Sequence, residues 1–299
     1  MTQRITPATA LLLTVPPLMW AGNAVVGRLV VPLVPPLTLN FLRWAVALLL
    51  LLPIAWPLLR PTSPIWPRMR RYAVLGLLGI GSYNALQYLA VKTPTPINVT
   101  LVASSTPFFM LGFGTLFFGH RITGRQVAGA VLSIAGVLVV LCRGDVAQLA
   151  NVQFVPGDLY MLLASAAWAL YSWLLTRPGD PPEVRSDWAA FLMAQLAFGL
   201  VWSGAFAAGE WGVGVGHVTW GLPLAAALAF IAIGPAVLAY RCWGAGVQRA
   251  GPSVAGFFVN LTPLFAALLS AAFLGELPHW YHGVAFALIV GGIVVSARR

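Results

Sequence analysis

The chain has 299 residues, of which 60% are hydrophobic and 8% are charged. Soluble domains carry about 25% charged residues, so this composition excludes a soluble globular protein and indicates a membrane protein. The net charge of +10 does not indicate nucleic-acid binding, because the arginines are scattered among apolar runs and form no basic face. The two cysteines, Cys142 and Cys242, share no short motif and predict neither a disulfide nor a metal site.

Charges, prolines and glycines divide the sequence into apolar segments of about 20 residues, the length needed to cross a bilayer as a helix. We predict spans one to ten at 8–30, 37–57, 72–91, 97–118, 126–142, 157–175, 188–208, 221–242, 253–274 and 283–297. The first segment is interpreted as a retained span, because its apolar run is too long for a signal peptide. The loops are short, and no separate soluble domain is predicted.

The distribution of basic residues predicts the orientation, because short cytoplasmic loops are enriched in Lys and Arg. With the N-terminus in the cytoplasm, 12 of the 17 basic residues fall inside and three fall outside, namely Arg28, Lys92 and Arg143. The remaining two, Arg43 and Arg241, lie within spans. This distribution predicts an even number of spans, with both termini in the cytoplasm.

The sequence contains an internal repeat. At an offset of 156 residues, segments 91–143 and 247–299 share 11 identical residues out of 53, and a weaker match at an offset of 148 pairs Trp20 with Trp168. We therefore predict two five-span repeats, 1–147 and 148–299. Because five is odd, the second repeat enters the membrane in the opposite sense, as in many secondary transporters.

Both repeats place Thr-Pro ahead of a long apolar run, at Thr106-Pro107 and at Thr262-Pro263. Each proline falls near the middle of its predicted span. Because proline removes a backbone donor and bends a helix, we expect Pro107 and Pro263 to act as hinges. The alternative is that they only reflect the higher proline content of membrane helices.

Polar and aromatic residues concentrate in spans one, three and four and in their repeat mates six, eight and nine. Polar groups inside lipid are costly unless they face protein or water, so we predict a central substrate cavity lined by these spans. The candidate substrate-binding residues are Trp20, Asn23, Tyr83, Asn84, Gln87, Ser105, Trp168, Tyr171, Tyr240 and Trp243.

Other roles for these residues stay open. The tryptophans and tyrosines could form an interfacial belt, above all Tyr240 and Trp243, which lie near the predicted cytoplasmic end of span eight. Tyr83, Asn84 and Gln87 could instead hydrogen-bond between helices. Arg43 could bind a substrate carboxylate, although an arginine at this depth more commonly extends outward or bonds to helix-end carbonyls.

The segments 85–140 and 242–295 resemble the repeat of the EamA family, in the drug/metabolite transporter superfamily. The shared pattern begins with a proline within a span, as in "SSTPFFMLGFGTLFFGHR" and "NLTPLFAALLSAAFLGEL". A Gly-Glu or its equivalent follows at the end of that helix, and then a Gly-rich helix. His120 departs from the family's usual Glu, which the second copy keeps as Glu276. The resemblance implies ten helices in two inverted bundles around a central cavity, in a bacterial inner membrane, and efflux of small metabolites. The aromatic content looks closest to the YddG-type amino-acid exporters.

The function predicted from these features is a monomeric secondary transporter that exports small metabolites, above all amino acids, by alternating access and without a cofactor. The sequence places no Asp or Glu deep in a span, so we expect no obligatory proton coupling. A nucleotide-sugar or drug transporter of the same superfamily is the alternative. An intramembrane enzyme is disfavoured, because no nucleophile with its base, paired carboxylates or metal set lies at membrane depth.

Overall fold

The computed structural model describes residues 5–92, 102–145, 147, 154–274 and 279–297. Within these residues the regular structure is helical, and eight helices are long and apolar enough to cross a membrane. The predicted all-α membrane fold is therefore confirmed. Span four is represented by a shorter apolar helix, and span three by a helix that changes its winding along its length.

The helices of the first repeat lie close to the predicted spans. They are Pro7–Leu29, Pro36–Ala55, Met69–Leu75 continuing through Gly76–Ser82 into Tyr83–Val91, Thr106–Phe118, and Gly124–Leu141. The first part of predicted span four, including Asn98, lies outside the described residues.

The second repeat follows the same plan. Its helices are Pro156–Thr176, Trp188–Gly212, Leu222–Ile231 continuing through Ala232–Leu238 into Ala239–Ala250, Pro252–Phe258 with Leu261–Leu274, and Trp280–Ala297. A short helix, Pro182–Ser186, which the sequence did not predict, precedes span seven. Glu276 lies outside the described residues.

Spans three and eight are interrupted by π-helical segments at equivalent positions. The segment in span three is Gly76–Ser82, and the segment in span eight is Ala232–Leu238, displaced by the repeat offset of 156 residues. The wider π turn leaves some carbonyls without their usual α-helical donor, and such turns recur at functional sites. The two repeats thus share a departure from regular helix at the same point.

The Thr-Pro pairs follow a break between two helical segments and do not lie within one continuous helix, and their role as hinges stays a prediction. Span four turns at Ser104 and Ser105 before the helix that begins at Thr106, and span nine turns at Val259 and Asn260 before its second helix. Pro107 and Pro263 occupy the first turn of the second helical segment, where a backbone N–H has no helical partner and its loss has no cost.

Spans five and ten pack against each other at glycines. A Cβ atom added to Gly292 would lie 2.6 Å from the Gly129 carbonyl oxygen, and one added to Gly129 would lie 2.6 Å from that of Gly292. About two helical turns after Gly129 on span five, a Cβ on Gly136 would lie 2.9 Å from the Ala285 carbonyl oxygen. The absence of side chains at these positions lets the two backbones touch.

Glu210, at the end of span seven, is buried, although the sequence indicated only that it maps to the outer side. Its carboxylate accepts hydrogen bonds from the Leu37 and Thr38 backbone amides at 3.2 and 2.8 Å, and from the Thr38 hydroxyl at 2.8 Å. These amides belong to the first turn of span two, whose positive dipole end favours an anion. A carboxylate from one repeat therefore caps a helix of the other.

Candidate substrate cavity

A cavity of about 270 Å³ lies between spans one, three, four and nine. On span one its wall extends from Trp20 to Arg28, which lies in the last turn of that helix. In the predicted orientation this is the outer half of the membrane. The other lining residues are Ala21, Ala24, Val25, Tyr83, Gln87, Ala103, Ser104, Val259, Asn260, Thr262, Pro263 and Ala266.

An aromatic cluster closes the inner end of this cavity. At its centre is Trp168, whose ring centroid lies 4.6 Å from that of Tyr83 and 5.1 Å from that of Trp20. On its other sides Trp168 contacts Tyr171, Tyr240 and Trp243, with centroids 5.0, 5.4 and 5.3 Å away. All six rings are buried, so that the cluster forms a solid floor.

Three polar atoms around the cavity have no partner within the described residues. They are the Trp20 Nε1–H, the Asn260 side-chain oxygen and the Thr262 hydroxyl. A buried polar atom without a hydrogen bond costs about 1–3 kcal/mol. These groups can therefore gain by bonding to the polar end of a bound molecule, while the rings of Trp20 and Tyr83 contact its apolar part.

Arg43 lies beside the cavity and not in it. It is fully buried, and its Nη1 donates to the Asn84 side-chain oxygen at 2.8 Å and to the Tyr88 hydroxyl at 3.0 Å. The expectation that Arg43 extends to the membrane surface is therefore wrong. Polar partners on span three satisfy Nη1, whereas Nε and Nη2 have no partner within the described residues.

The Arg43 contacts belong to a network that joins spans one, two, three and eight. The Tyr88 hydroxyl donates to the Asn23 side-chain oxygen at 2.8 Å. The Asn84 side-chain amide donates to the Tyr240 hydroxyl at 3.2 Å. The Tyr240 hydroxyl in turn donates to the Gly79 carbonyl, within the π-helical segment of span three.

The structure divides the ten predicted site residues into distinct groups. Trp20, Tyr83 and Gln87 line the cavity. Trp168, Tyr171, Tyr240 and Trp243 complete the aromatic floor and the packing around it, and Asn23 and Asn84 belong to the Arg43 network. Ser105 does not line the cavity, because its hydroxyl donates to the Val102 carbonyl and its neighbour Ser104 faces the cavity instead.

Two alternatives considered from the sequence are resolved by burial. Tyr240 and Trp243 are not belt residues, because they are 4% and 0% exposed. The helix of span eight continues to Ala250 and not to residue 242, which moves both side chains about two turns deeper. Helix–helix hydrogen bonding is correct for Asn84 but does not describe Tyr83 and Gln87, which face the cavity.

Besides Ser104, sequence reasoning missed three polar or charged lining residues, Arg28, Asn260 and Thr262. Asn260 and Thr262 lie in span nine, one of the spans predicted to line the cavity, and their repeat relation to Ser104 and Thr106 is the signal that could have placed them in the site. Arg28 was counted among the basic residues outside the membrane, but it lines the cavity and brings a positive charge to it.

The sequence profile of the EamA-like transporter family matches residues 8–142 and, a second time, residues 155–298. The chain belongs to the EamA-like transporter family. The resemblance recognised in the sequence is therefore confirmed, and the protein is a transporter and not an enzyme. Two matches to one family profile also agree with the two-repeat organisation of the fold.

Several EamA-like and related proteins align over most of their length. An uncharacterized transporter of Archaeoglobus fulgidus is 26% identical over 97% of this chain and 98% of its own. The aromatic amino acid exporter YddG of Ancylobacter novellus is 29% identical over 81% of this chain and 79% of its own. A probable amino-acid metabolite efflux pump of Salmonella typhimurium is 27% identical over 93% of this chain and 90% of its own.

A crystal structure with 23% sequence identity matches the fold of this EamA-like protein with a TM-score of 0.73. The match covers 97% of this chain and 96% of the other. At this identity the likeness shows a common architecture.

Proposed function

We propose that this transporter exports amino acids, including those with aromatic side chains, by alternating access. The observation that carries the proposal is the small, one-sided cavity that ends at Trp20 and Tyr83, whose rings pack on Trp168. The names of the exporters from Ancylobacter novellus and Salmonella typhimurium support the same substrate class.

The size of the cavity supports a small substrate. Pockets for drug-sized ligands have volumes of about 300–1,000 Å³. The volume here, about 270 Å³, is just below that range and suits a free amino acid better than a nucleotide sugar. A nucleotide sugar also carries two phosphates, and Arg28 is the one basic residue that lines the cavity in the described part of the chain.

The chemistry of the wall suits a zwitterion with an apolar side chain. Arg28 brings a positive charge and the Thr262 hydroxyl and Trp20 indole bring donors that can bind a carboxylate. The Asn260 side-chain oxygen can accept from an ammonium group. The tilted rings of Trp20 and Tyr83, 6.5 Å apart, present apolar faces to the side chain.

The aromatic floor supports alternating access. The cavity ends at buried rings, and on the other side of these rings Gly246 of span eight packs against Leu13 of span one. A carrier that works by alternating access has a state in which the substrate site is open to one side only. Transport then requires Trp20 and Tyr83 to separate from Trp168 and Trp243 while the outer walls close.

Counterflow in proteoliposomes tests the substrate class. Vesicles preloaded with unlabelled tryptophan or phenylalanine should accumulate the labelled amino acid transiently, whereas preloading with uridine or a nucleotide sugar should not. Trp20→Ala and Tyr83→Ala should reduce this exchange at least tenfold, because both remove floor surface. Trp220→Ala, at an exposed tryptophan remote from the cavity, is the matched control. Exchange of nucleotide sugars in place of amino acids would refute the proposal.

A further inference from the structure

A second, larger groove lies on the outside of the helix bundle, between spans one, nine and ten. Its volume is about 1110 Å³, and its wall is predominantly apolar, with Ile5, Ala10, Phe258, Phe265, Phe286 and Ala297 among its residues. Span nine separates this groove from the substrate cavity. Phe258, Leu261 and Phe265 face the groove, whereas Val259, Thr262 and Ala266 face the cavity.

The length of the groove matches one leaflet of a bilayer. Phe286 and Ala297 lie 11 residues apart on span ten, which corresponds to about 16 Å at the helical rise of about 1.5 Å per residue. Half of the hydrocarbon core is about 15 Å thick. The groove therefore extends from one membrane surface to about the bilayer centre.

Among the described residues of the groove wall, positive charge lies at one end. Arg125, in the first turn of span five, is the charged residue of the wall, and within the described residues it forms no ion pair and no side-chain hydrogen bond. In the sequence, Arg4 directly precedes the lining residue Ile5, and Arg298 and Arg299 directly follow Ala297. In the predicted orientation this end is cytoplasmic.

We propose that the groove binds one phospholipid with an anionic headgroup, its acyl chains along spans one, nine and ten and its phosphate at Arg125. A second copy of the chain fits less well, because a parallel pair facing through this groove would bring two Arg125 side chains together. A zwitterionic lipid would gain less from the basic end, since each arginine near an anionic headgroup contributes about 1 kcal/mol.

The position of span nine gives the lipid a route to affect transport. The turn at Val259 and Asn260 divides span nine, and the residues on either side of it alternate between the two pockets. A lipid against Phe258 and Leu261 supports this turn from outside the bundle. Occupancy of the groove should therefore change the rate of substrate exchange as well as stability.

The test compares binding of dioleoylphosphatidylglycerol and dioleoylphosphatidylcholine to the purified full-length protein by native mass spectrometry. The wild type should retain the anionic lipid in preference to the zwitterionic one. Arg125→Gln should weaken phosphatidylglycerol binding about fivefold and phosphatidylcholine binding less, so that the preference for the anionic lipid falls. Arg70→Gln, which removes an exposed arginine from the same predicted side, is the control and should keep the preference.

A second pair of variants tests the groove itself. Val294 lines the groove and Val284 does not, yet both lie on span ten and are 42% exposed. Val294→Trp should reduce binding of both lipids, and Val284→Trp should not. The proposal is overturned if Arg125→Gln and Arg70→Gln keep the same preference, if the two tryptophan variants bind lipid equally, or if inorganic phosphate competes fully with phosphatidylglycerol.

Discussion

The Asn84 side chain donates a hydrogen bond of 3.2 Å to the Tyr240 hydroxyl, and these residues occupy equivalent positions 156 residues apart in the two repeats. The pseudo-two-fold axis of the fold therefore passes close to this hydrogen bond. The same Tyr240 hydroxyl donates to the Gly79 carbonyl, in the π-helical segment of span three. One side chain thus joins spans three and eight where both leave regular helical winding.

Tyr240→Phe should weaken the floor of the cavity. The substitution keeps the ring that packs against Trp168 but removes both hydrogen bonds, each worth about 0.5–1.5 kcal/mol. A combined loss of about 1–3 kcal/mol shifts a conformational equilibrium by about 5- to 150-fold. We expect faster alkylation of a cysteine introduced at Leu13, below the floor, and slower alkylation of one at Val25, in the cavity wall. Tyr160→Phe, at a partly exposed tyrosine, should change neither rate.

Pro107→Ala and Pro263→Ala should slow substrate exchange with little effect on binding. Each restores an N–H in the first turn after a break, which lets the helix extend backwards and stiffens spans four and nine. Because the repeats are inverted, the two variants should change alkylation of Leu13→Cys and Val25→Cys in opposite directions. Pro156→Ala, at a helix start that follows a loop, is the control. Equal accessibility in both variants with normal exchange would show that the prolines only suit the packing.

The positions of the spans could be predicted from the sequence because bilayer thickness fixes the length of an apolar helix. The end of span eight, in contrast, could not be predicted from hydropathy. The stretch "RCWGAGVQRA" has alternating polar and apolar character, yet it stays helical to Ala250 because Cys242, Trp243 and Val247 pack inside the bundle. Tertiary packing therefore extends this helix beyond the apolar run that hydropathy recognises.

Gly292→Ala should destabilise the protein strongly, whereas Gly291→Ala should not. The added methyl group at Gly292 would lie 2.6 Å from the Gly129 carbonyl and force spans five and ten apart. At Gly291, nothing lies within 4 Å of the added Cβ, and alanine favours the helix by about 0.5–1 kcal/mol. Thermal unfolding in detergent compares the two neighbours directly. A similar melting temperature for both would contradict the close packing of this seam.

Arg43→Met should destabilise the folded protein by about 1–3 kcal/mol, because it leaves the buried Asn84 side-chain oxygen without its donor in a network that crosses four spans. Arg241→Gln is the control. Arg241 also lies within span eight, but it is exposed and its guanidinium rests over the Trp188 ring at 4.5 Å. Its loss should cost about 0.5–1 kcal/mol. If both variants unfold at the same temperature, the Arg43 network does not stabilise the bundle.

Exchange should not require a proton gradient. Among the described residues, the Glu210 carboxylate is held by span two and Asp180 pairs with Arg71 and Arg185 at 2.6 and 3.0 Å. None of these carboxylates lines the cavity. Flux of labelled phenylalanine into vesicles with equal pH on both sides should therefore match flux under an imposed gradient. Accumulation driven by the pH gradient alone would contradict this prediction.

The composition of the candidate site was partly predictable. Trp20, Tyr83 and Gln87 could be found because polar and aromatic side chains in repeat-related spans have few other uses inside lipid. The network around Arg43 could not be predicted, because it depends on which side of span three faces span two. The π-helical segments also escaped prediction, although Pro235 in "AIGPAVL" and the three glycines in "GLLGIGS" weaken regular helical winding at these points.

The contacts between spans five and ten have the symmetry of an interface between identical subunits. Gly292 lies 156 residues after Gly136, and Ala285 lies 156 residues after Gly129, so the pairs Gly129–Gly292 and Gly136–Ala285 exchange when the repeats are exchanged. In a two-fold dimer, one mutation would alter both contacts at once. In this single chain, one mutation alters only one of the two contacts. The two repeats can therefore acquire different residues, except at the positions where a glycine of one repeat lets its backbone touch the other.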